Sequence, residues 1–282
     1  MKPPIIITKA SGERVTFSSE KLEHSLKRAG ASQPVIDAIV QKVIGHLFDG
    51  ITTKEIYHIA FDLLKNKTTV VAAKYKLKHA IMELGPSGFP FEKYFAEILR
   101  HQGFKTQVGE IVKGHCVDHE VDVIAQKDDK HLMIECKFHN QSGYVCDVKI
   151  PLYIQSRFLD IKQALLKLPE EKTKFHQGWV VTNTKFTLDA IKYGNCVGLH
   201  LVGWDYPAKG SLRDQIDKAG LYPVTCLTTL SEEEKSKLLA LGIVLSRDIY
   251  SDHSSLTRIG IAQNRINLIL QESAEVCANG LK

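Results

Sequence analysis

Residues 119–138 read HEVDVIAQKDDKHLMIECKF. A polar turn, Lys127-Asp128-Asp129-Lys130, separates two runs in which apolar and polar residues alternate, the pattern of two half-buried strands. If that loop closes a regular hairpin, Gln126 faces His131. By continuation Asp122 faces Glu135 and Glu120 faces Lys137. Directly opposed side chains have Cβ atoms roughly 5 Å apart. Strand side chains alternate, so Glu135 and Lys137 share a face while Cys136 points the other way. Two opposed carboxylates repel unless something neutralises them. A hard divalent cation such as Mg²⁺ or Mn²⁺ does so, with Asp122, Glu135 and Glu120 as candidate ligands. Such a metal polarises a phosphodiester and acidifies a bound water, and a lysine two residues after the second acid can assist that water. The alternative is a charged surface hairpin with a Glu120–Lys137 pair.

Upstream of this hairpin, residues 85–90 (GPSGFP) are the clearest boundary, since Gly and Pro cluster between two periodic segments. Before it, residues 5–8 and 14–17 predict a small hairpin, and four helices are expected over 20–28, 34–47, 54–64 and 70–84. Ser18 or Ser19 and Thr52 or Thr53 are their N-caps. After the boundary, residues 91–102 form an amphipathic helix pattern. Strand-like runs follow at 105–108, 120–126 and 132–138, a helix over 149–167, a strand at 179–182, a helix at 188–193 and a strand at 199–202. This alternation predicts an α/β (α+β) domain with a mixed sheet flanked by helices. Beyond Tyr206 helices are expected at 211–219, 231–241 and 259–273, with Ser231-Glu-Glu-Glu as a capping signature. No internal repeat stands out. The expected domains are 1–85, 88–206 and 207–282.

The 282 residues are 44% hydrophobic and 24% charged, enough for more than one core. No run of eighteen apolar residues exists, which argues against a membrane span, and the N-terminus does not read as a signal peptide. Six scattered cysteines without a CxxC pair suggest reduced thiols and a cytoplasmic protein. His115, Cys116 and His119 lack a second ligand pair at zinc spacing. The net charge of +5 comes from residues 1–85, a segment suited to polyanions such as a nucleotide or nucleic acid. No P-loop is present.

Asp122 followed by Glu135-Cys136-Lys137 resembles the D…(D/E)-x-K signature of PD-(D/E)XK nucleases. FEKYFAEILRHQGF, from Phe91, resembles the first core helix of Mrr-type restriction endonucleases, and GWVVTNTKFTLDAI, from Gly178, resembles their later strand and helix. The likeness covers about residues 88–205. It implies metal-dependent hydrolysis of DNA phosphodiesters, with restriction or defence as a setting. Asp122, Glu135 and Lys137 would be catalytic, and Glu97 the acid from the first helix. Gln155 and Arg157 stand where related nucleases place polar residues toward the site, although an exposed helix face is the favoured expectation for both. The glycine-rich run before the catalytic Asp is replaced here by Asp118-His119-Glu120-Val121.

Residues 5–85 resemble a second family, the ATP-cone, in ITKASGERVTF, in GITTKEI and in AAKYKL. That resemblance implies a regulatory ATP or dATP site. Lys9 and Lys21 would meet phosphates, Thr53 and Tyr57 would lie near the nucleotide, and Lys74 or Lys76 would approach it. Ala10 interrupts the family's Lys-Arg pair, and Arg14 is the residue that compensates. Residues 227–249 distantly resemble a helix-hairpin-helix but lack a glycine hairpin suited to phosphate, so a packing subdomain is expected. The expected partners are DNA, an adenine nucleotide and further copies of the chain. The rival reading is a nucleotide-sensing DNA-binding regulator with a catalytically silent nuclease fold.

Overall fold

The computed structural model describes residues 4–165 and 175–278, which divide into two compact units. One is built from both ends of the chain, residues up to 81 and from 222 onward. The other comprises residues 82–221.

The first unit begins with the hairpin β1 (Ile6–Thr8) and β2 (Arg14–Thr16), in which Ile7 faces Val15. Helices α1 (Ser19–Arg28), α2 (Gln33–His46) and α3 (Thr53–Lys65) follow. Ser18 caps α1. Thr52 and Glu55 form a reciprocal capping box on α3, which satisfies two otherwise orphaned N–H groups. Leu26, Ile36, Val43, Ala60 and Leu64 close the core between these helices. The fourth predicted helix is two, α4 (Thr69–Tyr75) and α5 (Leu77–Met82), joined at Lys76.

The second unit holds α6 (Phe89–His101), β3 (Lys105–Lys113), β4 (Asp118–Lys127), β5 (Lys130–Lys137), β6 (Val145–Cys146) and α7 (Lys149–Leu165). The end of the helix expected over 149–167 lies outside the described residues. Then come β7 (Gln177–Thr182), β8 (Lys185–Phe186), α8 (Leu188–Val197), β9 (His200–Val202) and α9 (Leu212–Ala219). The main sheet has the order β3-β4-β5-β7-β9. Its first three strands are antiparallel and its last three parallel, so it is a mixed sheet. Helix α6 lies against β3 and β4, α7 against β3 and β7, and α8 against β9. Phe91, Phe95, Ile98 and Leu99 bury one face of α6 completely, as the spacing predicts.

The chain then returns to the first unit with α10 (Glu232–Ala240), α11 (Ser246–Ser251), α12 (Ser254–Arg258) and α13 (Gln263–Cys277). A repeat that the sequence reading missed is visible here. Leu238-x-x-Leu241-Gly242-Ile243 and Leu256-x-x-Ile259-Gly260-Ile261 end α10 and α12 in the same way. Gly242 and Gly260 sit at φ 76° and 85°. The Ile243 N–H bonds Leu238 O at 3.0 Å and the Ile261 N–H bonds Leu256 O at 3.1 Å. These are matching left-handed glycine caps, each leading into another helix. The segment 227–249 therefore carries one of these glycine caps, at Gly242. That cap is not presented to solvent: Val244 and Leu245 are buried, and Val244 O accepts the Val224 N–H.

These C-terminal helices share one unit with α4 and α5. Lys76 donates to Thr225 O at 3.3 Å, and the buried Thr225 hydroxyl donates to Ala80 O at 2.6 Å. The Lys74 ammonium lies over the Tyr222 ring, 5.4 Å from its centroid.

Candidate functional site

The β4–β5 hairpin keeps the expected register from its turn, Lys127 opposite Lys130, as far as Val123 opposite Ile134. There the ladder stops. On its other edge β5 runs parallel to β7 from Leu132 to Lys137, so that Glu135 faces Val180 and Lys137 faces Thr182, while Glu120 faces Ile111 on β3. The expected Asp122–Glu135 and Glu120–Lys137 rungs are not made, although each strand keeps its neighbour on the opposite edge. In the opened fork the Asp122 carboxylate accepts the Cys136 N–H at 2.7 Å, a side chain completing what the ladder leaves undone.

Into this fork α7 sends Arg157, which is 9% exposed, against the expectation of an exposed helix face. Its Nη1 donates to Glu135 Oε2 at 2.5 Å, and its Nη2 donates to the main-chain oxygen of Glu120. The Tyr153 ring, one turn earlier, lies 5.4 Å from the guanidinium. Gln155 reaches the interior with a buried Oε1 that lacks a hydrogen-bond partner. A buried amide oxygen left in this way is costly, so a donor is wanted there.

The first helix contributes an acid, though from a different position than expected. Glu97 pairs with Arg100 on α6 itself. Glu92, in the first turn, is the residue that feels the site: burial, then the charges of Asp122, Glu120 and Glu135, push its pKa up to about 7. Glu135 is likewise pushed up to about 7, chiefly by burial and by Asp122. Arg157 and Lys137 pull the other way and do not prevail. Burial also raises Asp122, in spite of the Cys136 N–H. Three acids thus crowd a space with too little positive charge to ionise freely.

The three expected ligands Asp122, Glu135 and Glu120 do not close into a cage. Among the described residues no group of three or more His, Cys, Asp or Glu stands ready to hold a metal ion. The donor chemistry nevertheless suits a hard cation, being carboxylate oxygens that destabilise one another. Glu135 is committed instead to Arg157. Lys137 is exposed beside the acids, and no ion pair ties it to Glu120. His119 does not join Cys116 and His115 in a zinc cluster. Its Nε2 meets Asp160 of α7 at 2.8 Å, and the same carboxylate takes the Cys116 N–H at 2.9 Å, pinning the β3–β4 turn.

In the first unit an open pocket of about 630 Å³ lies beneath the β1–β2 hairpin. Lys9, Lys21, Thr53 and Tyr57 line it, together with Ser18 and Tyr75, on an apolar floor that includes Ile7 and Leu22. Its mixture of cations with aromatic surface suits a small anionic ligand. Tyr75 stacks on Tyr57 at 5.4 Å, and Tyr57 on His79 at 4.0 Å. The other three expected residues lie elsewhere. Arg14 pairs with Asp49 at 3.2 Å, while Lys74 and Lys76 serve the contacts with Tyr222 and Thr225. The sequence reading favoured the lysines on either side of Tyr75. Neighbouring helical residues point about 100° apart, so the face that shows Tyr75 to the pocket turns both lysines away.

Comparison with known families finds three matches along the chain. The ATP cone domain matches residues 5–80, a restriction endonuclease domain matches 85–153, and a domain described as AF1548-like, C-terminal, matches 222–277. An uncharacterised protein of Archaeoglobus fulgidus is 38% identical over 182 residues, which is 64% of this chain and 98% of that protein. The crystal structure of a protein of unknown function, AF1548, superposes with a TM-score of 0.57 at 35% identity, covering 68% of this chain and 99% of that one.

Proposed function

We propose that the chain, which belongs to the family of the Archaeoglobus fulgidus protein and carries matches to an ATP cone domain, a restriction endonuclease domain and an AF1548-like C-terminal domain, is a divalent-metal-dependent DNA endonuclease governed by an adenine nucleotide in the cone. The observation that carries this reading is the crowding of Asp122, Glu135 and Glu92 beside the exposed Lys137. Asp122 and Glu135 would hold Mg²⁺ or Mn²⁺, with Glu92 in support. When bound, the ion supplies charge stabilisation to the phosphodiester and acidifies a water. Lys137, at the rim, donates to the attacking water or to the negative charge that develops on the phosphate oxygens. Gln155 brings a buried acceptor oxygen that would accept a hydrogen bond from a water. In the cone, Lys9 and Lys21 meet the phosphates of ATP or dATP, and Tyr57 with Tyr75 supplies the aromatic wall.

The decisive experiment is a cleavage assay on duplex, nicked and single-stranded DNA with Mg²⁺ or Mn²⁺, using wild type beside Asp122→Ala. Metal-dependent cutting that Asp122→Ala abolishes supports the reading, and cutting that survives the substitution ends it. Repeating the assay across saturating ATP and dATP tests the regulation, which unchanged rates would exclude.

One observation favours a second reading. Glu135 is already paired with Arg157, as in a nuclease fold retained only for DNA binding under nucleotide control. Lys137→Ala separates the two. An enzyme loses cleavage and keeps DNA binding, whereas a silent regulator has no cleavage to lose.

A further inference from the structure

The Arg157 side chain is held at three points. One nitrogen meets Glu135, the other meets the main-chain oxygen of Glu120, and the flat guanidinium lies near the ring of Tyr153. Only 10% of its side chain and 19% of that of Glu135 is exposed. A buried cation held this completely does a specific electrical job, since an arginine in such a place without an acid would not stay. Here the job is to neutralise the acids of the fork.

We propose that Arg157 is a built-in counter-cation occupying the position a divalent metal needs, so that the Arg157–Glu135 pair and metal binding exclude one another. This rests on the metal-site reading above and adds a regulatory step to it. Loading requires Glu135 to exchange a guanidinium for the ion. The exposed Tyr153 ring, 60% accessible, offers the departing guanidinium a surface to stack on. The latch keeps the apo site neutral and silent. It also sets a threshold: metal binds only where its attraction for the acids exceeds that of an arginine already in place.

A purely structural Arg157, one that merely aims Glu135, predicts the opposite sign, because its removal would disorder a ligand and weaken binding. The test is calorimetry with Mn²⁺ on metal-free full-length protein, comparing wild type, Arg157→Gln and Arg157→Lys, with circular dichroism to confirm folding. Arg157→Gln is expected to bind Mn²⁺ at least tenfold more tightly. Arg157→Lys keeps the charge but cannot fork to Glu135 and Glu120 together, and it is expected to tighten binding several-fold. Equal or weaker binding by folded Arg157→Gln overturns the proposal. Tightening by Gln but not by Lys reduces it to ordinary charge repulsion and overturns it as well. If Arg157→Gln fails to fold, Arg157→Lys decides alone. Absence of Mn²⁺ binding in wild type and both variants sinks the metal-site reading and the latch together. Binding that is equal in all three sinks the latch only.

Discussion

Asp122 holds the Cys136 main-chain N–H through its side chain, at 2.7 Å, at the point where the β4–β5 ladder ends. The residue therefore has a structural duty as well as a chemical one, and the two can be separated. Asp122→Asn keeps an acceptor for that N–H and relieves like-charge crowding. It is expected to fold as well as wild type, while metal-dependent cleavage falls at least a hundredfold. Asp122→Ala loses the acceptor too and is expected to cost about 1–2 kcal/mol of stability. Thermal melts of both variants beside a cleavage assay check this, and an active Asp122→Asn would remove Asp122 from the chemistry.

The raised acids make a prediction about pH. A carboxyl whose folded pKa lies above its unfolded value stabilises the fold while protonated, and that stability is lost as pH rises. For Glu135 and Glu92 the window runs from the ordinary 4.5 up through about 7. Metal-free protein is expected to lose stability across it, by roughly 1–3 kcal/mol in all. Glu135→Gln should flatten the slope. A metal-free melting temperature that rises from pH 5 to 8 would contradict the crowding.

Glu92 and Glu97 offer a direct contest within one helix. Glu92→Gln is expected to reduce metal-dependent cleavage at least tenfold, while Glu97→Gln, whose carboxylate pairs with Arg100, changes it less than threefold. Metal titrations of the two variants should rank in the same order. The reverse order would return the role to Glu97.

In the cone, the residues lining the pocket should separate from those that only resemble ligands in sequence. Lys21→Ala and Tyr57→Ala are expected to weaken ATP or dATP binding tenfold or more. Arg14→Ala, which breaks the pair with Asp49 outside the pocket, should leave it within twofold. Calorimetry distinguishes them, and a large loss in Arg14→Ala would show that the ligand reaches past the lining described above.

Thr225→Val tests the join between the chain ends. The buried hydroxyl donates to Ala80 O, and its loss leaves that carbonyl short of a partner, at a cost of about 1–2 kcal/mol. Hydrogen exchange should quicken in α4, α5 and α13 and stay unchanged in the β3–β9 sheet. Uniform quickening throughout the chain would argue against the division into units.

How much of this could be read from the residues follows from the range of the interactions involved. The hairpin register was legible because a four-residue turn fixes it locally, as Gln126 opposite His131 shows. The end of the ladder was not, because it is set where the Asp122 side chain takes the Cys136 N–H and Arg157, 22 residues further along the chain, takes Glu135. The apolar face of α6 was legible from its period. Which flank of that face borders the acids was not: Glu92 and Glu97 lie about 140° apart around the helix, and nothing local says which side meets β4. Arg157 carried no signal beyond its place in the helix after the motif. Its burial makes sense only once the acids it serves are known. The Gly242 and Gly260 caps were written plainly in the sequence.

The unit made from both ends of the chain has a consequence for the order in which the protein is made. Residues 82–221 leave the ribosome before the last helices of the other unit do, and can fold first. Until those last helices arrive, Ala80 O lacks the Thr225 hydroxyl and Lys76 lacks its carbonyl partner. The candidate nuclease is thus finished before the unit that holds the cone has received its final piece. For that interval in the life of each molecule, restraint of the acidic fork falls to Arg157, which is already in place.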